Sequence, residues 1–194
     1  MGSETTATGL DDKDKVIISM YSADPDVSQD AIARVLKLSQ PSVAARVARL
    51  KDSGALQVNA GVNPLRMGLY LAKVDLASTR PNDILDMFAG CPYFANGFSV
   101  SGRHNLCLFF FSESVTTLEA IVNGHIRSDP SVSDVDFDIV IASVKDFIIP
   151  VALKPSRSAS PPCGIKLKCS DCPSFKGRKC MGCPVTGEYQ GKFY

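Results

Sequence analysis

The spacing of apolar residues changes once along this chain, from about 3.6 before residue 54 to about 2 beyond residue 69, so a helical unit must precede a sheet-bearing one. Within residues 28–53, SQDAIARVLKLSQPSVAARVARLKDS, Ser28 is a good N-cap, and Ile32, Val35 and Leu36 recur at i, i+3, i+4 as one apolar stripe. Lys37-Leu38 makes a tight turn. Ser39 caps a second helix, and Pro41 fits its first turn, where a missing N–H costs little. Val43, Val47 and Leu50 face a core, while Ser42, Arg46 and Arg49, offset by one position, share an outward face. A preceding helix, LDDKDKVIISMY, carries Asp11, Asp12 and Asp14 in its first turns, where negative charge suits the dipole, and offers Val16, Ile17 and Met20 to the pair. An arginine-bearing face on the second helix of such a pair is what major-groove insertion requires. An ordinary helical hairpin with a solvated face has the same pattern.

Gly54 reads as a helix C-cap, and residues 55–68 as an extended connector. Strands follow at 69–76, 93–101, 105–112 and 132–144, with helices at 81–90 and 114–128. The order βαββαβ over 69–146 predicts an α+β, ferredoxin-like split βαβ layer with helices on one side of an antiparallel sheet. The run Phe109-Phe110-Phe111 suggests that the open sheet face is covered, most simply by a second copy.

Charge is unevenly spread. Residues 1–60 carry net −1, residues 61–150 net −4 and residues 151–194 net +6. The helical pair is therefore not broadly basic, and affinity for DNA must come from a few placed Arg and Lys, helix N-termini and dimerisation. No apolar run is long enough to cross a membrane, and MGSETTATG lacks the regions of a secretory signal, so residues 1–9 are expected to be a disordered tail in a cytoplasmic protein. Gly2 with Thr6 superficially matches an N-myristoylation pattern.

A linker, residues 147–162, Pro/Ser-rich over 154–162, leads to the stretch CGIKLKCSDCPSFKGRKCMGCP within a Cys-rich module, residues 163–194. Cys169-x2-Cys172 and Cys180-x2-Cys183 are two chelating pairs, with Cys163 as a fifth thiol. Paired CxxC motifs turn two thiolates each toward one ion and complete a tetrahedral sulfur set, as in zinc sites. Pro173 and Pro184 follow their cysteines as in Cys-Pro iron–sulfur ligation, so Zn2+ and a [4Fe–4S] cluster both remain open. Lys166, Lys168, Lys176, Arg178 and Lys179 surround the motif, to offset thiolate charge or reach DNA phosphate. Cys91 and Cys107 are expected to be packed thiols, and His125 a surface or interface residue.

Leu10-Asp11 with Asp14 and Ile17, the segment from Leu38-Ser39 through Arg46-Val47, Arg49-Leu50 and Gly54, the βαββαβ order, and the turn Gly102-Arg103-His104-Asn105 together resemble the Lrp/AsnC (feast/famine) transcription regulators over residues 10–146. The resemblance implies a helix-turn-helix DNA-binding domain at 10–54 that contacts double-stranded DNA through residues 40–49. The expected contact set is Ser39, Gln40, Ser42, Ala45, Arg46, Arg49 and Lys51. It also implies homodimers joined through the sheets, often assembled into octamers, and small effectors, commonly amino acids, bound near Gly102, Arg103, His104 and Asn105. Family members often carry an acidic residue where this chain has Asn105, so an effector amino group loses an ionic partner there.

The expected function is therefore a non-enzymatic transcription regulator, sensitive to a small effector and to the metal or redox state of its tail. A sirohaem-decarboxylase-like enzyme on the same architecture and a metal or redox partner protein are the alternatives. No Ser/His/Asp constellation, Walker loop or GxGxxG motif is present.

Overall fold

The computed structural model describes residues 9–165 and 167–194, so most of the expected N-terminal tail, the Gly2/Thr6 pattern and Lys166 lie outside the described residues. The chain divides into two compact units, Met1–Asn59 and Ala60–Tyr194.

The first unit holds α1 (Asp12–Ala23), α2 (Gln29–Leu36) and α3 (Gln40–Asp52). Asp11 starts α1 with a reciprocal cap: its Oδ1 accepts from Asp14 N at 2.8 Å, and Asp14 Oδ2 accepts from Asp11 N at 3.2 Å. Ser28 caps α2 by accepting from Ala31 N. Lys37 ends α2 in the left-handed region, φ 51°, which lets Ser39 begin α3 two residues later, with Pro41 in its first turn. Ile17, Ile32, Val43, Val47 and Leu50 form the core of this unit. Val35, expected on the apolar stripe, is instead 60% exposed, and Ala33 is buried in its stead. The stripe is centred on Ile32 and Leu36, and the small Ala33 shares it, so position 35 rotates out to solvent.

The second unit contains β1 (Tyr70–Ser78), α4 (Pro81–Phe88), β2 (Phe94–Ser99), β3 (Leu106–Ser112), α5 (Val115–Ile121) and β4 (Val132–Ile139). The sheet order is β2-β3-β1-β4 with every neighbour antiparallel, the expected split βαβ arrangement. Val74, Leu76, Leu108 and Phe110 point from the sheet into a core shared with Ile84, Phe88, Leu118 and Ile126. Phe88 meets Phe110 edge to face at 4.8 Å.

Two elements depart most from their residue patterns. β4 stops at Ile139 rather than 144, because Ile139 already faces Ala72 near the start of β1 and little partner strand remains. Beyond it Ile141 and Val144 are almost wholly exposed. The helix expected over 114–128 is α5 followed by a π-helical turn, Val122–Ile126.

The opposite sheet face is partly covered by the chain itself. Phe110 faces the helices, whereas Phe111 meets the ring of Phe193 at 5.9 Å and Phe109 that of Phe147 at 5.8 Å. Val62 and Ile149 exchange both backbone hydrogen bonds, each 2.9 Å. The stretches expected to be spacers, 55–68 and 147–162, thus contribute packed residues, and the Cys-rich stretch belongs to the same unit as the sheet. Replacing Phe193 by Ala is expected to cost about 2 kcal/mol of stability for this unit, the scale of burying one aromatic side chain. Loss of near-ultraviolet tyrosine dichroism on heating is the measure, and an unshifted transition would mean that Phe193 does not seal the face.

Candidate nucleic-acid interface and cysteine cluster

Helix α3 exposes Gln40, Pro41, Ser42, Ala45, Ala48, Arg49, Lys51 and Asp52, with short side chains at 41, 42, 45 and 48. Ser39, expected to contact DNA, caps α3: its hydroxyl lies 2.8 Å from that of Ser42 and accepts weakly from Ser42 N. Gln40 reaches back to Gln29 of α2 at 3.2 Å. Lys51 is exposed as well, its ammonium 5.9 Å from the Tyr21 ring centre.

The arginines sit in an ion-pair network that their spacing within α3 did not announce. Arg46 Nη1 donates to Asp11 Oδ2 at 2.7 Å and to Asp14 Oδ1 at 2.8 Å, while Arg49 Nη2 donates to Asp14 Oδ2 at 2.6 Å. The Asp14 side chain is 1% exposed, that of Arg46 28% and that of Arg49 54%. Burial pushes the Asp14 pKa up, but the hydrogen bonds from Arg49, Arg46 and the Asp11 N–H outweigh it and hold it below the ordinary carboxylate value. The Asp14 N–H, and after it Arg46, depress Asp11 as well. Arg46 therefore braces α3 on α1, and Arg49 keeps more of its guanidinium free.

At the expected effector turn, Gly102 takes φ 142°, a conformation suited to glycine, and Arg103 is exposed and ion-paired with Asp134. His104 Nε2 lies 3.3 Å from Asp134 Oδ2. Asn105 points elsewhere: its Oδ1 accepts from Ser78 N at 2.9 Å and its Nδ2 donates to Ser78 O at 2.7 Å, which clamps the hairpin to the end of β1. Asn105 is thus spent on structure, whereas Gly102 and Arg103 are exposed and the half-buried His104 turns its Nε2 inward toward Asp134.

All seven cysteines are free thiols. Among the described residues no three His, Cys, Asp or Glu side chains converge on one metal position. The tail is nonetheless well anchored. A short 3-10 turn, Cys169–Asp171, and α6 (Pro173–Lys176) carry Cys169 and flank Cys172. Glu188 accepts from Cys169 N and Ser170 N, Met181 N donates to the buried Thr117 Oγ1 at 3.0 Å, and Tyr93 Oη donates to Gly182 O at 2.6 Å. Gly182, at φ 82°, has no room for a side chain, since a Cβ would stand 2.7 Å from Glu188 O. Burial raises the thiol pKa values of Cys163, Cys169, Cys180 and Cys183, although the Ile165, Gly182 and Val185 N–H groups aimed at Cys163, Cys180 and Cys183 respectively oppose it. Burial also pushes Cys91 up to about 12. Cys107 lies on the outer sheet face opposite Asp75 rather than in an apolar core, and partial burial with that carboxylate pushes it up to about 11.

His125 is the residue whose place the sequence least revealed. It lies on the π-helical turn with Nε2 3.1 Å from Cys163 Sγ and Nδ1 3.0 Å from Ile121 O. Burial lowers its pKa, with the Ile121 carbonyl acting the other way.

Residues 10–57 match a family described as winged helix-turn-helix DNA-binding. Over 140 residues the chain is 24% identical to the HTH-type transcriptional regulator LrpA of Pyrococcus abyssi (strain GE5 / Orsay), an alignment spanning 70% of this chain and 99% of that protein. The Mycobacterium tuberculosis leucine response regulatory protein (LrpA) superposes with a TM-score of 0.62 at 25% identity, covering 73% of this chain and 100% of that one. E. coli AsnC superposes with a TM-score of 0.59 at 14% identity, covering 72% and 97%. The chain has the Lrp/AsnC fold. The curated LrpA relative is named as a transcriptional regulator, not as an enzyme.

The network on Asp14 yields a signed pH dependence. A carboxylate whose folded pKa is depressed contributes stability fully above the unfolded value of about 3.9 and loses it as pH falls through the folded value. Melting of the helical unit, followed by far-ultraviolet dichroism, should keep the full Asp14 contribution unchanged between about pH 7 and 5 and lose it progressively below about pH 4. Asp14→Ala should cost about 1–2 kcal/mol at neutral pH by removing half of the α1 capping box and both ion pairs to α3, whose arginines stay accessible to water. An Asp14→Ala chain as stable as the parent would show that the network does not hold α1 to α3.

Proposed function

We propose that this chain is a DNA-binding transcription regulator of the Lrp/AsnC kind, acting as a dimer or larger assembly through α3. One observation carries the reading: α3 is the second helix of a turn-linked pair, and its exposed stripe, Ser42, Ala45 and Arg49 with Gln40 at its head, carries no carboxylate before Asp52. Short side chains let the helix axis come close to base edges, and Arg49 supplies the bidentate donor suited to guanine. Arg46 has the role of holding that stripe in register rather than reading bases. Since the helical unit has no excess of basic residues, paired subunits provide the second set of phosphate contacts.

A small effector would meet Arg103 and His104 at the Gly102 turn, where Asp134 supplies the carboxylate that Asn105 does not. In the tail, Cys163, Cys169, Cys172, Cys180 and Cys183 would hold Zn2+ or a [4Fe–4S] cluster. The spacing of the two CxxC pairs supports this, as do the backbone N–H groups aimed at the Cys180 and Cys183 sulfurs.

Gel shifts on the chain's own promoter region test the DNA reading. Arg49→Ala is expected to weaken the specific complex by about 1–3 kcal/mol and relax its preference at one base position. Arg46→Ala is expected to lower the melting temperature of the helical unit instead. No retardation in any metal or redox state would remove the regulator reading. For the tail, metal analysis with an absorbance spectrum of anaerobically purified protein should show either one zinc per chain or a broad iron–sulfur band. A metal-free, colourless and fully folded chain would remove the cofactor.

A further inference from the structure

Beside Tyr93 and Thr117, which bond the backbone of the cysteine tail, His125 reaches one of its thiols. After α5 the helix widens, Arg127 N donating to Val122 O at 2.9 Å across five residues, and π-helical turns of this kind recur at functional sites. His125 sits on this turn. Its Nδ1 lies 3.0 Å from the Ile121 carbonyl, which can only accept, so Nδ1 carries the proton and Nε2 keeps its lone pair. That lone pair faces Cys163 Sγ at 3.1 Å.

We propose that His125 Nε2 and Cys163 Sγ are joint ligands of a thiophilic divalent metal ion of the zinc class, making the tail's centre a mixed nitrogen–sulfur site anchored on the sheet unit. The inference rests on the reading that the tail binds metal, and it names a ligand outside the tail. A ring N–H donated to a backbone carbonyl is the usual outer partner of a metal-bound histidine, fixing both tautomer and ring plane. Nitrogen and sulfur on one tetrahedral zinc-class ion stand about 3.5 Å apart, so the pair needs to open by only a few tenths of an ångström. A rotation of the Cys163 side chain suffices for that, and its backbone sits in the turn closed by Gly164 N donating to Pro161 O, with Gly164 at φ 75°. The pairing also accounts for an odd thiol. Two CxxC pairs already make four sulfurs, and Cys163 is a fifth, with an imidazole nitrogen 3.1 Å from its sulfur.

The test uses the full chain, stripped with a chelator and titrated anaerobically with Co2+ in the presence of a non-thiol reductant. The parent should develop sulfur-to-cobalt charge-transfer and tetrahedral d–d bands. His125→Ala should bind Co2+ about tenfold more weakly or worse, with shifted d–d bands, given that losing only an outer partner of a ligand costs about 10–100-fold. Cys163→Ser should lose charge-transfer intensity, and Cys107→Ser, on the far sheet face, should match the parent. His125→Cys guards against a folding defect: it should recover binding with added sulfur charge transfer. His125→Ala with parental affinity and parental d–d bands would overturn the proposal while leaving a tail metal site intact. A parent chain that binds no Co2+ would overturn both.

Discussion

The helix-facing side of the sheet is the constraint on which the second unit depends. Val74 and Leu76 on β1, with Leu108 and Phe110 on β3, lose all contact with water only if α4 and α5 lie across them. Those helices leave Tyr93 and Thr117 as polar handles at the edge of the packed layer, and the tail takes both, through Gly182 and Met181. The cysteine stretch is thereby positioned by the same hydrophobic burial that forms the sheet, and needs no core of its own. A stretch of this size could hardly support an independent apolar core, so attachment is the physically expected solution.

In the helical unit a charge does comparable service. Asp14 is almost fully enclosed, and a lone carboxylate there would be strongly unfavourable. Two guanidinium groups and the Asp11 N–H satisfy its oxygens, so α1 and α3 are tied at a defined angle. The same tie withdraws Arg46 from the exposed stripe. Positive charge on the second helix of such a motif is therefore not equivalent to charge available for phosphate or base contacts.

Much of this was legible in the residues themselves. Ser28, Ser39 and Pro41 mark the helix starts, Val43, Val47 and Leu50 the buried side of α3, and the alternation in β1 and β3 the sheet. These signals are local, and local geometry fixes what they mean. What escaped was long-range. Arg46 and Asp14 are 32 residues apart and Asn105 and Ser78 are 27 apart, and nothing in the spacing around either pair says they meet. His125 escaped for a different reason: an α-helical period carried through 114–128 assigns its direction, and the π-helical turn alters that direction. The reach of residues 147–151 and Phe193 onto the sheet was masked because 147–151 adjoin the Pro- and Ser-rich run 154–162 and read with it as a spacer, while Phe193 stands far along the chain from the strand it covers.

The shared carboxylate in the helical unit has a consequence for how such readers diversify. A new operator preference reached by exchanging α3 alone would import a helix lacking arginines at 46 and 49, and Asp14 would then be buried without its counter-charges. On the proposed reading, transplantable specificity in this scaffold is accordingly a two-helix cassette, and positions 40, 42, 45 and 48 are exposed α3 positions that no carboxylate of α1 restrains.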